Sequence, residues 1–426
     1  MPIPFGPILA QVVELSVGDR SEVRLIAAPS RRLEGVTVPT VGVRSTWKDV
    51  IFSAGYGATL AVVPLDSEPR ATSLFHTIFV AGSYRWQHTT LAVGQSLGIG
   101  SLNFATQALS DPGTNQTANS GVNLPGGGNG GGAAPAPPIT IGTVIGPGGA
   151  PVNSGPPGTT VGGSNQLRAV NKVVDFSAAS TRAGVIHELT PVTRLGFEVG
   201  YTIAGGLTEE DKTYYPEVRG SRAGALVAHR LNPRDEVSST AVLQYSSNAL
   251  GASSWLALIG EGLAHRFSPR TSGNAGVGVA YSRLPLGNGF TSNSIYPTFS
   301  LGIGTVTYVS RGTLSLNAAA GSAPALDPIT QIVDPRVTLA AGAGFQKQRY
   351  FAAASVSSAL SVAGQNEPGA LKAVGASLGV GYQFVPALSA DAGVRAAYQS
   401  YQGTNVIPLT YGVFVGVTFG ATSTLK

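Results

Sequence analysis

Large apolar residues alternate with small or polar ones from about Val36 to Phe419. In a strand, residues i, i+2 and i+4 share one face, so a period of two predicts β-strands with one greasy side. Over Val50–Val62 the large set is Val50, Phe52, Ala54, Tyr56, Ala58, Leu60 and Val62, opposed by Ser53, Gly55, Gly57 and Thr59. Over Arg194–Ala204, Leu195, Phe197, Val199, Tyr201 and Ile203 alternate with Arg194, Gly196, Glu198, Gly200 and Thr202. Leu388–Gln399, Lys372–Phe384 and Thr271–Tyr281 repeat the pattern. The last segment sets Tyr411, Val413, Val415, Val417 and Phe419 against Gly412, Gly416 and Thr418, with Phe414 an intruder on the small side. Ser253–Arg266 and Ser73–Arg85 carry apolar residues on both faces. Three-four spacing is not sustained anywhere, so almost no helix is expected.

Short turns that resemble one another join these strands: IHELTPVTR at 186–194, AHRLNPRDE at 228–236, AHRFSPRTS at 264–272 and YQFVPALSA at 382–390. Proline suits them because its fixed φ matches the second turn position. Polar clusters near 46–49, 85–89, 310–313 and 347–350 read as further short turns. From Pro191 to Pro386 successive turns lie about 36 to 42 residues apart, which is one β-hairpin per repeat. Eight such turns account for about sixteen strands, and Val406–Phe419 adds one. A partner for it must precede Val36, and Ser21–Ala28 is the candidate. The count is then about eighteen, with sixteen as the alternative, in one closed antiparallel up-and-down barrel. Both chain ends fall on the short-turn side. The barrel would occupy residues 21–419, between an N-terminal segment 1–20 and a tail 420–426.

Composition sharpens this picture. Of 426 residues only 12% are charged, 57 are glycine, and the mean hydropathy is +0.17. Apolar content is therefore high but spread thinly, and no run approaches the roughly 18 apolar residues of a membrane helix. Soluble sheets cover one face with charge, and these strands do not. Trp47, Trp86, Phe267, Tyr308, Tyr350, Phe351, Tyr382, Phe384 and Phe419 sit near short turns. Tyr201, Tyr245, Tyr281, Tyr296, Tyr398, Tyr401 and Tyr411 sit near the other ends. Two interfacial girdles have this distribution. The residues Ile8-Leu9-Ala10 before Gln11 read as the remnant of an export signal, or else as an ordinary coiled start. Residues 105–166 hold LPGGGNGGGAAPAPP and GPGGAPVNSGPPGTT with Asp111 as their one charge. That segment is a flexible loop on the outer side, either surface decoration or a movable constriction of the mouth.

The repeated hairpins, the Gly-, Ser- and Ala-rich strands and the ending Val415-Val417-Phe419 resemble bacterial outer-membrane β-barrels, porin-like, and among them the barrels of exopolysaccharide export. The resemblance is one of pattern over most of the chain. It implies short periplasmic turns, longer outer loops and residence in the outer membrane lipid of a Gram-negative cell. It also implies that Tyr411, Val413, Val415, Val417 and Phe419 are the signal read by the barrel-assembly machinery, although the family's aromatic usually ends the chain and here Gly420–Lys426 follows.

Other chemistry is thin. The chain has no cysteine, and its net charge of +5 comes from dispersed arginines without a basic run, so nucleic acid is not an expected partner. His76, His88, His187, His229 and His265 show no metal spacing and no hydrolase motif accompanies them; turn packing explains them better than metal or catalysis. No cofactor and no enzymatic activity are expected. What remains is the small-residue face, which in a barrel lines the lumen. Arg194, Glu198, Glu261, Arg336, Asp391 and Arg395 are assigned to it, either steering polar solutes or pairing among themselves. The expected function is an aqueous conduit for polar solutes, with a polysaccharide as cargo and periplasmic secretion components as partners. The alternative is a closed structural or adhesive barrel acting through its loops.

Overall fold

The computed structural model describes residues 12–28, 32–62, 72–103, 143–145, 151–153, 173–287, 290–310, 312–326, 333–362, 371–401 and 404–425. Eighteen strands form one sheet in which each is antiparallel to its neighbours in sequence, and the last pairs with the first. They are β1 (Val12–Ala28), β2 (Arg32–Trp47), β3 (Val50–Val62), β4 (Thr72–Trp86), β5 (Thr89–Asn103), β6 (Val173–Thr190), β7 (Thr193–Gly206), β8 (Val218–Arg230) and β9 (Asp235–Asn248). The second half comprises β10 (Ser253–Ser268), β11 (Thr271–Gly287), β12 (Phe290–Val309), β13 (Gly312–Leu326), β14 (Val333–Lys347), β15 (Tyr350–Ser361), β16 (Leu371–Val385), β17 (Leu388–Tyr401) and β18 (Thr404–Leu425). The only helix among the described residues is α1 (Glu209–Tyr214), between β7 and β8. It is far too short to cross a membrane.

Each strand forms for the reason its sequence announces. Alternation gives one apolar face, and pairing on both edges satisfies every ladder N–H and C=O without water. The apolar face points outward: Ile259, Val277, Ile295 and Val415 are between 61% and 71% exposed. In water this would be untenable; in lipid it is the contact surface. The two ambiguous strands now resolve. In β10, Leu256 and Leu258 turn inward and are buried, while Trp255, Ile259 and Leu263 face out. In β4, Phe75 and Phe79 turn inward against the wall, and Leu74, Ile78 and Val80 face out.

The short turns are tight. Lys48, Gln87, Ser310 and Gln348, each the first residue of a two-residue connection, have φ between 47° and 52°. Primed hairpin turns require positive φ at that place, because their twist matches the strands. None of these positions is glycine, which is why the turns carry no Asn-Gly signature. The histidines near the turns are held across the ladder. Nδ1 of His187 meets Thr89 Oγ1, that of His229 meets Thr193 Oγ1, and that of His265 meets Asp235. Among the described residues no metal-holding cluster exists.

Both ends of the barrel extend further than the alternation indicated. β1 begins at Val12 rather than Ser21, and β18 runs past Phe419 to Leu425, where it pairs with Val13. Much of segment 1–20 and nearly all of tail 420–426 are therefore strand. Weak alternation at Gly18-Asp19-Arg20 and Gly420-Ala421-Thr422 hid them. Some aromatics assigned to girdles stand on the inward face instead: Phe351 lies over Gly381, Tyr296 packs on an inner apolar cluster, and Tyr308 shares the face of Gly302 and Gly304. Residues 105–166 lie outside the described residues, apart from a small hairpin of Thr143–Ile145 and Pro151–Asn153.

A charge on the outer face tests which side meets lipid. Val277→Arg is expected to cost about 2–4 kcal/mol. Gly304→Ser, on the inner face with nothing within 4 Å of the new Cβ, is expected to stay within about 0.5 kcal/mol of wild type. Urea unfolding in liposomes measures both, and equal effects would contradict the assignment of faces.

Candidate conduit on the inner face of the barrel

The inner face is built mostly from small and hydroxylated residues. Ser96 pairs with Ser180 at 2.8 Å and Ser355 with Ser377 at 2.7 Å across neighbouring strands. Where inward aromatics occur, glycines on the next strand make room. Phe79 lies over Gly55 and Phe75 over Gly98, so close that a Cβ at either glycine would collide with the ring. Several apolar patches interrupt the polar wall, and a broad one lies on β9 to β11. Val242, Leu256, Leu258 and Ala280 form it, and Val333 and Tyr296 pack on it. The Tyr296 hydroxyl donates to the Val333 carbonyl at 3.3 Å.

The strongest charge network sits where the barrel closes. Glu22 on β1 receives Arg24 Nε at 2.6 Å, Arg395 of β17 at 2.6 Å and Arg20 at 3.2 Å. Arg20 also reaches Asp391 at 3.2 Å, and Arg24 approaches Glu34 of β2 at 3.9 Å. The Arg395 guanidinium lies 3.9 Å above the Phe414 ring centroid, which accounts for the intruding aromatic of β18. Register explains the glycine beside it. Gly416 stands between Glu22 and Asp391 in the ladder, and a Cβ there would come within 3.1 Å of Asp391 Oδ1. Side chains from β1 and β17 bridge over β18 because β18 presents no bulk at that point.

A second network lies on β6 to β9. Arg222 meets Glu198 at 3.1 Å, with Arg182 across Gly200 on the same inner face. Nearer the short turns, Arg194 donates to both oxygens of Glu236 at 2.7 Å. Arg336 is buried on the inner face of β14 at 5% exposure. At the long-loop end α1 folds against the wall. Gly206 lies directly under Asp211, and Tyr215 meets Phe176 edge-on at 5.9 Å.

The structure thus places Arg194, Glu198, Arg336, Asp391 and Arg395 inward and gathers Asp391 and Arg395 into one network. They meet through Arg20 and Glu22 rather than each other. Glu261 is a correction. It stands opposite Val277 on the outer face, between Ile259 and Leu263, and its carboxylate accepts from Ser239 at 2.7 Å. Because Leu256 and Leu258 are the inward residues of β10, the charge was no guide to parity there. Asp19 also faces outward and is satisfied by the hydroxyls of Ser21 and Thr37, each at 2.9 Å. Sequence reasoning does not reach Arg20 and Glu34, which lie outside the expected strands, and leaves Glu22 and Arg24 unassigned although both fall within Ser21–Ala28. The alternation Arg20, Glu22, Arg24 against Ser21, Val23, Leu25 was the available signal. In β18, Tyr411, Val413, Val415, Val417 and Phe419 all face outward, between 44% and 61% exposed.

A closed barrel, apolar outside and polar within, is an outer-membrane protein. Residues 18–425 match the model of the EpsX exopolysaccharide export family. The chain belongs to that family. No protein of curated function matches its sequence. Among solved structures, this EpsX-family barrel is similar to the outer membrane protein OpdK of Pseudomonas aeruginosa. Identity is 10%, with 96% of this chain and 99% of that one covered, at a TM-score of 0.46. It is similar to the FrpB iron transporter of Neisseria meningitidis at 10% identity, covering 93% and 63%, with a TM-score of 0.48. It is also similar to a bacterial polysaccharide outer membrane secretin at 10% identity, covering 97% and 98%, with a TM-score of 0.36. These are distant likenesses.

The closure network of this EpsX-family chain gives a direct test. Glu22→Gln leaves Arg20, Arg24 and Arg395 crowded without their central carboxylate and is expected to cost about 3–5 kcal/mol. Adding Arg395→Gln to it should recover part of the loss. The urea midpoint of the compact, fast-migrating form on unheated gels reads both. An additive double mutant would mean that Glu22 and Arg395 do not act together.

Proposed function

We propose that the barrel is an aqueous conduit in the outer membrane and that its cargo is a polysaccharide leaving the cell. The observation that carries this reading is the exopolysaccharide export family spanning residues 18–425, on a barrel whose inner face is polar. Barrels of this strand number have room for a water-filled channel. A sugar chain needs many weak contacts rather than one tight one, since it must leave as readily as it enters. Serine and threonine hydroxyls along the inner strands, paired to one another, supply contacts of that grade. The paired charges of the closure network hold arginines in place and limit how strongly any one of them detains a passing group.

Lipid of the outer membrane surrounds the apolar face. We read the outward series Tyr411 to Phe419 as the mark for the barrel-assembly machinery, and the short-turn rim as the side offered to periplasmic secretion components. A second reading, a closed barrel acting through its loops, draws on the inner patch of Val242, Leu256, Leu258 and Val333 and on α1 folded against the wall.

Planar-bilayer recording separates the two. A conduit is expected to give stepwise conductance in simple salt, and a silent barrel of verified fold would overturn it. Deleting residues 105–166 is expected to raise the conductance or lengthen open times if that segment constricts the mouth. Unchanged current would leave the segment as surface decoration.

A further inference from the structure

The charge networks on the inner face are not alike. At the closure, Arg20, Arg24 and Arg395 stand against Glu22, Glu34 and Asp391, three against three. Near the short turns Arg194 is matched by Glu236. On β6 to β8 two guanidiniums, Arg182 and Arg222, lie near one carboxylate, Glu198, which Arg222 meets at 3.1 Å. Arg182 takes part in no hydrogen bond or ion pair among the described residues.

The ladder sets these groups in a row. Arg182 stands opposite Gly200, Gly200 opposite Arg222, and Arg222 opposite Gln244. Gly200 contributes no side chain, and the Arg182 stem leans across it, its Cγ 3.6 Å from where a Cβ would stand. The next inward residue of β9 is Ser246. Gln244 is 3% exposed and Ser246 fully buried, yet Gln244 Oε1 and Ser246 Oγ have no hydrogen-bond partner among the described residues. Buried polar atoms are ordinarily satisfied, and an orphan pair in the same ladder row as Arg182, on the far side of Arg222, points to a ligand lying along that row.

We infer that this row is a recognition point for a carboxylate-bearing sugar unit of the exported chain. The inference rests on the conduit reading and names its substrate class. A guanidinium fork matches a carboxylate, which Arg182 has free to offer. The acceptor oxygens of Gln244 and Ser246 take hydroxyl protons, which a sugar ring supplies and a simple anion does not. A chain that contains uronic acid presents both along its length. The carboxylate of Glu198 holds Arg222 aside and tempers the site, so that the chain is registered and passed on rather than trapped.

Calorimetric titration of the purified barrel in detergent, at fixed salt, tests this with hexagalacturonate and with maltohexaose as the neutral probe. The acidic oligomer is expected to bind at least tenfold more tightly. Arg182→Gln is expected to remove that difference by weakening hexagalacturonate far more than maltohexaose. Arg182→Lys keeps the charge without the fork, is less disruptive to folding, and is expected to weaken hexagalacturonate at least threefold. Equal binding of the two oligomers by wild type, or acid preference retained in both variants, would overturn the inference. Binding is read here without conductance. A barrel that binds the acid but passes no current would instead count against the conduit reading.

Discussion

Lipid offers no hydrogen bonds, so a sheet inside it cannot have an edge. Everything else in this molecule follows from that demand. β1 and β18 must meet, and they do so along almost their full length, from Val13 opposite Leu425 to Ala28 opposite Tyr411. Closure in turn divides every strand into a face that meets lipid and a face that does not, and alternation is the sequence's way of obeying that division. The high glycine content belongs to the same logic. Inward rings such as Phe79 and Phe75 need a strand without side chains beside them, and bridging side chains need one to cross.

The closure is also where ionic groups are concentrated. A network of buried charge does little for stability compared with well-packed apolar residues, and its use is more often specificity. Here it distinguishes one alignment of β18 from its neighbours. A slip by one residue would turn Arg20, Glu22 and Arg24 into lipid, and a slip by two would carry Gly416 away from the crossing point of Glu22 and Asp391. The apolar residues of β18 alone, mostly valines, would tolerate a two-residue slip far better.

Fold class, strand number and the side holding both chain ends were legible in the sequence, because period-two alternation and repeated turns are local signals. The turns with proline were plain; those with Lys48 or Gln87 at positive φ were found by polarity alone. What escaped was long-range. At Gly18-Asp19-Arg20 the alternation is too weak to show a strand by itself, and it is β18 that pairs with it. Glu261 was misassigned because outward carboxylates violate the rule that lipid-facing residues are apolar, and Ser239, which satisfies it, is supplied by another strand. Arg182 and Arg222 sat on the small-residue faces of their strands in plain view, but only the ladder brings them to one row. Inward Leu256 and Leu258 likewise gain their meaning from Val333, distant in sequence.

The partners in the closure network are almost as far apart as the chain allows: Arg395 reaches Glu22 across 373 positions, and Arg20 reaches Asp391 across 371. While the barrel is being assembled, β1 therefore holds Arg20, Glu22 and Arg24 without two of their counterparts until β17 arrives. Glu22 can pair meanwhile with Arg20 and Arg24 of its own strand, but the set is complete only when Asp391 and Arg395 join it. A chain cut short before Asp391 lacks Asp391, Arg395 and β18 together, so its first strand loses its ladder partner and two of its ionic partners at one stroke.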